Sequence, residues 1–228
     1  MFNNSKYGNL LTIILIIAIV AILGIAILVG TKIYKAYHTD SDAIDAANAF
    51  EQATVNKPNN NTTTNENKTD ISGINGSITE ENSNSTENGS SGTKTKYKGF
   101  DVIGTIQIPK ISLKYPILEK LSPKSLETSV VLLYTANGLN QVGNSVIIGH
   151  NYRNGTMFSN VKKLEKGDLI YITDVSGTKV KYKIYDIYRA SGSEGNYMTR
   201  NTDGKREISL STCTDDSKAR TIVLAKEA

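Results

Sequence analysis

The sequence predicts an all-β domain, a closed or nearly closed barrel of about eight strands, held behind one transmembrane helix and a long polar linker. Three observations predict it. From residue 104 onward the apolar segments are short, rich in β-branched residues and separated by turn signals at near-regular intervals. Residues 10–29 are almost wholly apolar. Residues 56–94 are polar and contain no aromatic side chain. The expected boundaries are a tail over 1–9, an anchor over 10–30, a juxtamembrane segment with linker over 31–96, and one folded domain over 97–228.

The run over 10–29 reads LLTIILIIAIVAILGIAILV. As a helix it rises about 30 Å, the thickness of a bilayer's hydrocarbon core. A signal peptide's apolar region is shorter, about 7–15 residues, and ends at a small-residue cleavage site. No such site follows here, so an uncleaved signal anchor is expected. Lys6 and the N-terminal amine on one side nearly balance Lys32 and Lys35 on the other, which leaves orientation open. The short tail and long polar segment favour the N-terminus inside. Residues 40–54 are expected to continue the helix beyond the membrane. Residues 56–94 cannot bury enough apolar surface to offset their ordering entropy. They read as a flexible tether that spans roughly 35 Å as a coil and holds the domain off the bilayer.

In the folded part, residues 103–108 (IGTIQI) alternate and stop at Pro109. Residues 113–118 contain Pro116, which suits an edge or bulged strand. Further strands are expected over 129–133, 145–149, 169–173, 179–187, 208–213 and 221–225. Asp174-Val175-Ser176-Gly177 supplies a hairpin turn. Residues 157–164 (MFSNVKKL) form the best short helix.

Composition excludes several function classes. The net charge is +4, and 97–228 holds 19 Lys plus Arg against 13 Asp plus Glu. The cations are dispersed: Lys179, Lys181 and Lys183 alternate with Val180 and Tyr182, the pattern of a strand's wet face. Nucleic acid is therefore not an expected partner, whereas an anionic wall or membrane surface is. One cysteine excludes a disulfide framework and a multi-cysteine zinc site. Two histidines exclude a His-rich metal centre, and no G-x-x-x-x-G-K-[ST] phosphate loop is present. No cofactor or metal is expected.

Three residues carry the chemistry. Cys213 ends the apolar strand Glu207-Ile208-Ser209-Leu210-Ser211-Thr212-Cys213, after which the chain turns polar. A strand cysteine is more often an inert buried thiol than a nucleophile. One at a strand mouth, however, is reachable, as a nucleophile must be. His150 follows the apolar strand Val146-Ile147-Ile148-Gly149 and is the folded part's only histidine. If the two strand ends meet, the imidazole pairs with the thiol, activates it and later protonates a leaving amine. Arg220 opens the last strand, seven residues after Cys213. A return strand would carry its guanidinium beside the thiol, where it stabilises a developing oxyanion.

Together these residues resemble the sortases, membrane-anchored cysteine transpeptidases of Gram-positive cell surfaces. The resemblance rests on Val146-Ile147-Ile148-Gly149-His150-Asn151, on Leu210-Ser211-Thr212-Cys213-Thr214, on Arg220, and on Asn154-Gly155-Thr156-Met157-Phe158. It implies the sortase-type eight-stranded β-barrel. It implies that Cys213 cleaves an LPxTG-like sorting signal after Thr through a thioacyl-enzyme, with hydrolysis as a side reaction. The amine of a peptidoglycan precursor or cross-bridge then takes the acyl group. His150 would be general acid and base, and Arg220 would stabilise the oxyanion or orient the substrate. Thr212, with Ser211 and Asn151, would line the substrate groove. The partners implied are surface proteins bearing sorting signals, the wall amine and the cell membrane, crossed once with the catalytic domain outside. Leu-Ser-Thr-Cys and Gly-His-Asn resemble class B, but the short stretch 188–206 lacks that class's long helical insertion, so a class D-like sortase fits equally. No Asp-Pro-aromatic lid and no second apolar run point to class C. Glu165, Asp168 and Glu194 are scattered and read as surface charges rather than a calcium site. Two other readings stay open: a cysteine hydrolase of the same fold, and a non-catalytic wall-binding module.

Overall fold

A computed structural model describes residues 5–55 and 95–228. The tether expected over 56–94 lies outside the described residues. The chain enters through α1 (Ser5–Val55), one continuous helix. Its segment Leu11–Thr31 is long and apolar enough to cross a membrane, and none of that segment is buried inside the protein.

Nine strands follow: β1 (Lys96–Tyr97), β2 (Phe100–Ile108), β3 (Leu113–Leu118), β4 (Val130–Thr135), β5 (Gly143–Ile148), β6 (Leu169–Asp174), β7 (Lys179–Ser191), β8 (Arg206–Cys213) and β9 (Ala219–Glu227). Their order is β1-β2-β3-β4-β5-β8-β9-β7-β6, and β6 pairs back onto β2. Eight strands thus close a barrel, as the sequence predicted. The two-residue β1 adds a strip along the start of β2.

The pairings are antiparallel except β3–β4 and β5–β8. Each parallel pair needs a crossover. Between β3 and β4 the crossover is α2 (Pro123–Thr128). It has Pro at its first turn and a reciprocal cap, in which Ser122 Oγ accepts from Ser125 N–H while Ser125 Oγ accepts from Ser122 N–H. Between β5 and β8 the crossover is the β6–β7 hairpin, turned at Gly177 with φ +82°. The residues of 157–164 form a 3₁₀ turn, Phe158–Lys163, rather than an α-helix. β3 is no free edge. It pairs with β2 throughout, and with β4 only at Ile117 and Leu118. Pro116, which has no N–H to give, stands just before that second flank begins.

Alternation sorts the side chains. Ile106, Ile117, Ile147, Ile172, Ile184, Leu210 and Val223 fill the barrel interior. A second, smaller cluster of Val146, Ala190, Tyr197, Ile222 and Leu224 lies on the other face of β5, β8, β9 and β7. On β7, Lys179, Lys181 and Lys183 are exposed while Val180, Tyr182 and Ile184 are buried, the wet-face pattern expected.

The folded unit is larger than the sequence suggested. Ala43, Ala47 and Phe50 recur at i, i+4 and i+7, one stripe of a helix. They are 0%, 0% and 2% exposed, because α1 packs this stripe against the barrel. Polar contacts flank it. Glu51 accepts from Thr105 Oγ1 at 2.7 Å and Lys114 Nζ at 2.8 Å, Asn48 accepts from Lys114 at 2.7 Å, and Asp42 pairs with Lys98. From Thr31 to Asp40 the helix rises only about 14 Å.

Candidate active site

Strand register brings three side chains into one row. Parallel β5 and β8 set Ile147 opposite Leu210 and Ile148 opposite Ser211. Beyond the strand, Gly149 N–H donates to Ser211 O at 3.3 Å and Thr212 Oγ1 donates to Gly149 O at 2.8 Å. The same register carried two residues on sets His150 beside Cys213. On the other flank, Arg220 of antiparallel β9 is the register partner of Cys213. The next rung carries the bond from Thr214 N–H to Ala219 O, 2.9 Å. Ladder bonds alternate, so Cys213–Arg220 is a non-hydrogen-bonded pair, the kind whose side chains come closest. Facing residues project to the same side, and adjacent strands are about 4.8 Å apart. The backbones of His150, Cys213 and Arg220 therefore form a row across the ends of β5, β8 and β9, with Cys213 in the middle.

The row lies on the barrel's outer face. Ile208 and Leu210 point inward, so Ser209, Ser211 and Cys213 point out, on the side of the buried cluster of Val146, Ala190, Tyr197 and Ile222. Tyr197 comes from the 192–205 connection. Its carbonyl accepts from Asn144 and from Arg200, and Arg200 also grips Glu207 at 2.6 Å and Ser209 Oγ at 2.5 Å. This network clamps the connection onto β5 and β8.

Local contacts fix the two strand ends. Gly149 has no room for a Cβ: one would stand 2.9 Å from the Phe158 ring and 3.0 Å from Val130. Phe158 N–H donates to His150 O at 3.0 Å, and the His150 ring leans on Tyr152 with centroids 4.9 Å apart. Asn151 Nδ2 donates to Cys213 O at 3.0 Å and Asp215 Oδ1 at 2.9 Å, tying the His end to the Cys end. Cys213 is partly exposed and opens on a cleft of about 340 Å³ whose lining includes Asn151, Phe158, Lys162, Arg189, Thr212 and Asp215. Lys162, then Asn151, hold the Asp215 carboxyl below the usual range. The Thr214 hydroxyl, then Arg189, hold Asp216 far below it. Both stay anionic at neutral pH.

Of the three residues expected to line the substrate groove, Asn151 and Thr212 line this cleft and Ser211 does not. Ser211 shares the thiol's face but is 1% exposed. Thr212 faces the opposite way, is 3% exposed and has given its hydroxyl to Gly149 O. Asn151 spends its amide on the strand ends. Sequence reasoning passed over Tyr152, Tyr197, Arg200 and Asp215. Only Tyr152 and Asp215, adjacent to the His and Cys motifs, carried any signal. Among the described residues no three His, Cys, Asp or Glu side chains converge as a metal site.

Comparison with known proteins decides the family. The model of the sortase domain matches residues 106–228. The chain belongs to the sortase family. It is similar to Sortase A of Bacillus anthracis, 32% identical over 121 residues, which cover 51% of this chain and 56% of that protein. The chain thus spans little more than half the length of the curated relatives it matches. Among solved structures it resembles the Clostridium perfringens Sortase D5 transpeptidase, with 32% identity and a TM-score of 0.51 over 56% of this chain and 79% of that one. It also resembles C. perfringens sortase C with the C-terminal cell wall sorting motif, with 26% identity and a TM-score of 0.51 over 56% and 71%. In this sortase-family chain, α1 lies outside the matched residues, while its partners Lys114 and Tyr115 lie within them.

Proposed function

We propose that this sortase-family protein is a cysteine transpeptidase that cleaves an LPxTG-like sorting signal after Thr and joins the acyl part to a cell-wall amine. The observation that carries this reading is the His150–Cys213–Arg220 row. Cys213, as thiolate, attacks the carbonyl carbon of the Thr, and the carbonyl oxygen becomes an oxyanion that Arg220 stabilises by hydrogen bonds. As the tetrahedral intermediate collapses, the C–N bond breaks and imidazolium His150 gives its proton to the leaving amine. The thioester that remains is then attacked by the wall amine, His150 takes that amine's proton, and Cys213 leaves. A peptide seated in the cleft lined by Asn151, Phe158, Arg189 and Thr212 reaches the thiol. Such a substrate agrees with the sorting motif bound to the related sortase C. Likeness to a Sortase D5 supports the class D-like alternative.

Leu11–Thr31 would cross the membrane once, with the barrel outside, where the wall amine is found.

The test is intact mass spectrometry of the full chain in detergent with LPxTG-like and NPxTN-like peptides and no acceptor amine. A mass gain equal to the peptide's acyl part, absent in Cys213→Ala, is expected. An acceptor series then shifts product from acid to amide. Acid alone at every amine concentration would make the protein a hydrolase, and no adduct with a chemically reactive Cys213 would sink the transpeptidase reading.

A further inference from the structure

The contact between α1 and the barrel reaches the catalytic rim by a short path. Tyr115 of β3 is 3% exposed and reaches out of the interior. Its hydroxyl donates to Asp40 Oδ1 on α1. The same oxygen accepts the Met157 N–H at 3.1 Å. Met157 adopts φ 47°, ψ −128°, a backbone conformation that a side-chain-bearing residue holds only when its surroundings impose it. It also closes the loop that leaves the active site, because Asn151 and Met157 form an antiparallel bridge. The next residue, Phe158, donates its N–H to His150 O at 3.0 Å. Phe158 in turn fills the space that Gly149 leaves open.

We propose that Asp40 and Tyr115 are positioning residues, through which the docked juxtamembrane helix holds the 151–158 loop, and with it His150, beside Cys213. Asp40 orients the Tyr115 hydroxyl, the hydroxyl holds the Met157 amide in its strained turn, and the turn fixes the backbone beneath His150. Phe50, Ala43 and Ala47 keep Asp40 in reach. The anchor helix is then a working part of the enzyme and not only its attachment. The catalytic part of this inference rests on the reading of His150 as the proton-transfer group.

The experiment uses the full chain in nanodiscs, with Tyr115→Phe, Asp40→Ala and Asp40→Asn. Amide hydrogen exchange of residues 151–158 is measured beside kcat and KM for sorting-peptide cleavage. One hydrogen bond lost predicts roughly tenfold faster exchange in 151–158 for Tyr115→Phe and Asp40→Ala, with the β5 and β8 ladders unchanged. A lower kcat at unchanged KM is expected with it. Asp40→Asn, whose carbonyl oxygen still accepts from the tyrosine, restores both. Unchanged exchange in 151–158 would overturn the proposal, and so would exchange that rises equally across the barrel or an Asp40→Asn as impaired as Asp40→Ala. If the unmodified protein cleaves no peptide, the transpeptidase reading fails alone, while the exchange comparison still decides this one.

Discussion

The rim that carries Cys213 and the flank that carries α1 are built by different means. At the rim, position is set by backbone. Two strand ladders bring His150 and Arg220 to either side of the thiol, and the few side-chain bonds, such as Asn151 to Cys213 O, only pin the ends. On the flank no ladder joins helix to sheet. Position there depends on Phe50, two alanines and the ions around Glu51 and Lys114. The difference teaches where each region is vulnerable. A side-chain change at the rim should leave the strand ladders intact, whereas one on the flank should loosen helix docking and, through Tyr115, the loop that follows His150.

Four substitutions or conditions break or sharpen that contrast. Phe50→Ala should give the largest effect, about 3–5 kcal/mol of lost docking. Because the barrel closes without α1, the loss should appear as protease cleavage within 40–55 while the barrel's melting transition survives; a single common transition that collapses would refute the separation. Arg220→Lys comes next. It keeps the charge but loses the planar fork, so kcat should fall about 10²–10³-fold with the circular dichroism and melting of the barrel unchanged. Unimpaired turnover would remove Arg220 from the oxyanion site.

Acid should act on the flank before the rim. Burial alone would raise the Glu51 carboxyl, but hydrogen bonds from Lys114 and Thr105 outweigh it and hold the carboxyl low. A carboxylate lowered by folding contributes its stabilisation above its unfolded pKa, about 4.3, and loses it as pH falls through the lower folded value. Helix docking, followed by fluorescence transfer between labels on α1 and β2, should therefore weaken below about pH 4. In Glu51→Gln that acid step should disappear, and a step that persists would assign it elsewhere. The smallest effect is expected at the β3–β4 crossover. Ser122→Ala removes one half of the reciprocal cap and should cost about 1 kcal/mol, read as a lowered melting temperature with normal thioacylation.

By itself, the sequence determined one apolar helix long enough to cross a membrane, the eight strands and which three residues form the row. Each rests on a local signal. The run 10–29 has the length and apolarity of a membrane span, β-branched segments stop at Gly and Pro, and Gly149-His150 and Thr212-Cys213 stand at the ends of apolar strands. Strand limits were less legible. Residues 188–191 belong to β7 because they pair with 219–222, and nothing within 188–191 says so. The 3₁₀ form of Phe158–Lys163 follows from the turn at Met157, which the barrel imposes. The stripe Ala43-Ala47-Phe50 was in view as periodicity, but two alanines carry too little apolar area to say that a barrel lies beneath them. Only tertiary structure decided the parallel β5–β8 register, the burial of Thr212, the engagement of Asn151, and the path from Asp40 through Tyr115 to Met157. These depend on contacts between residues 42 to 75 positions apart. Local sequence fixes what each segment prefers to be, while the closing of the barrel fixes which segments become neighbours.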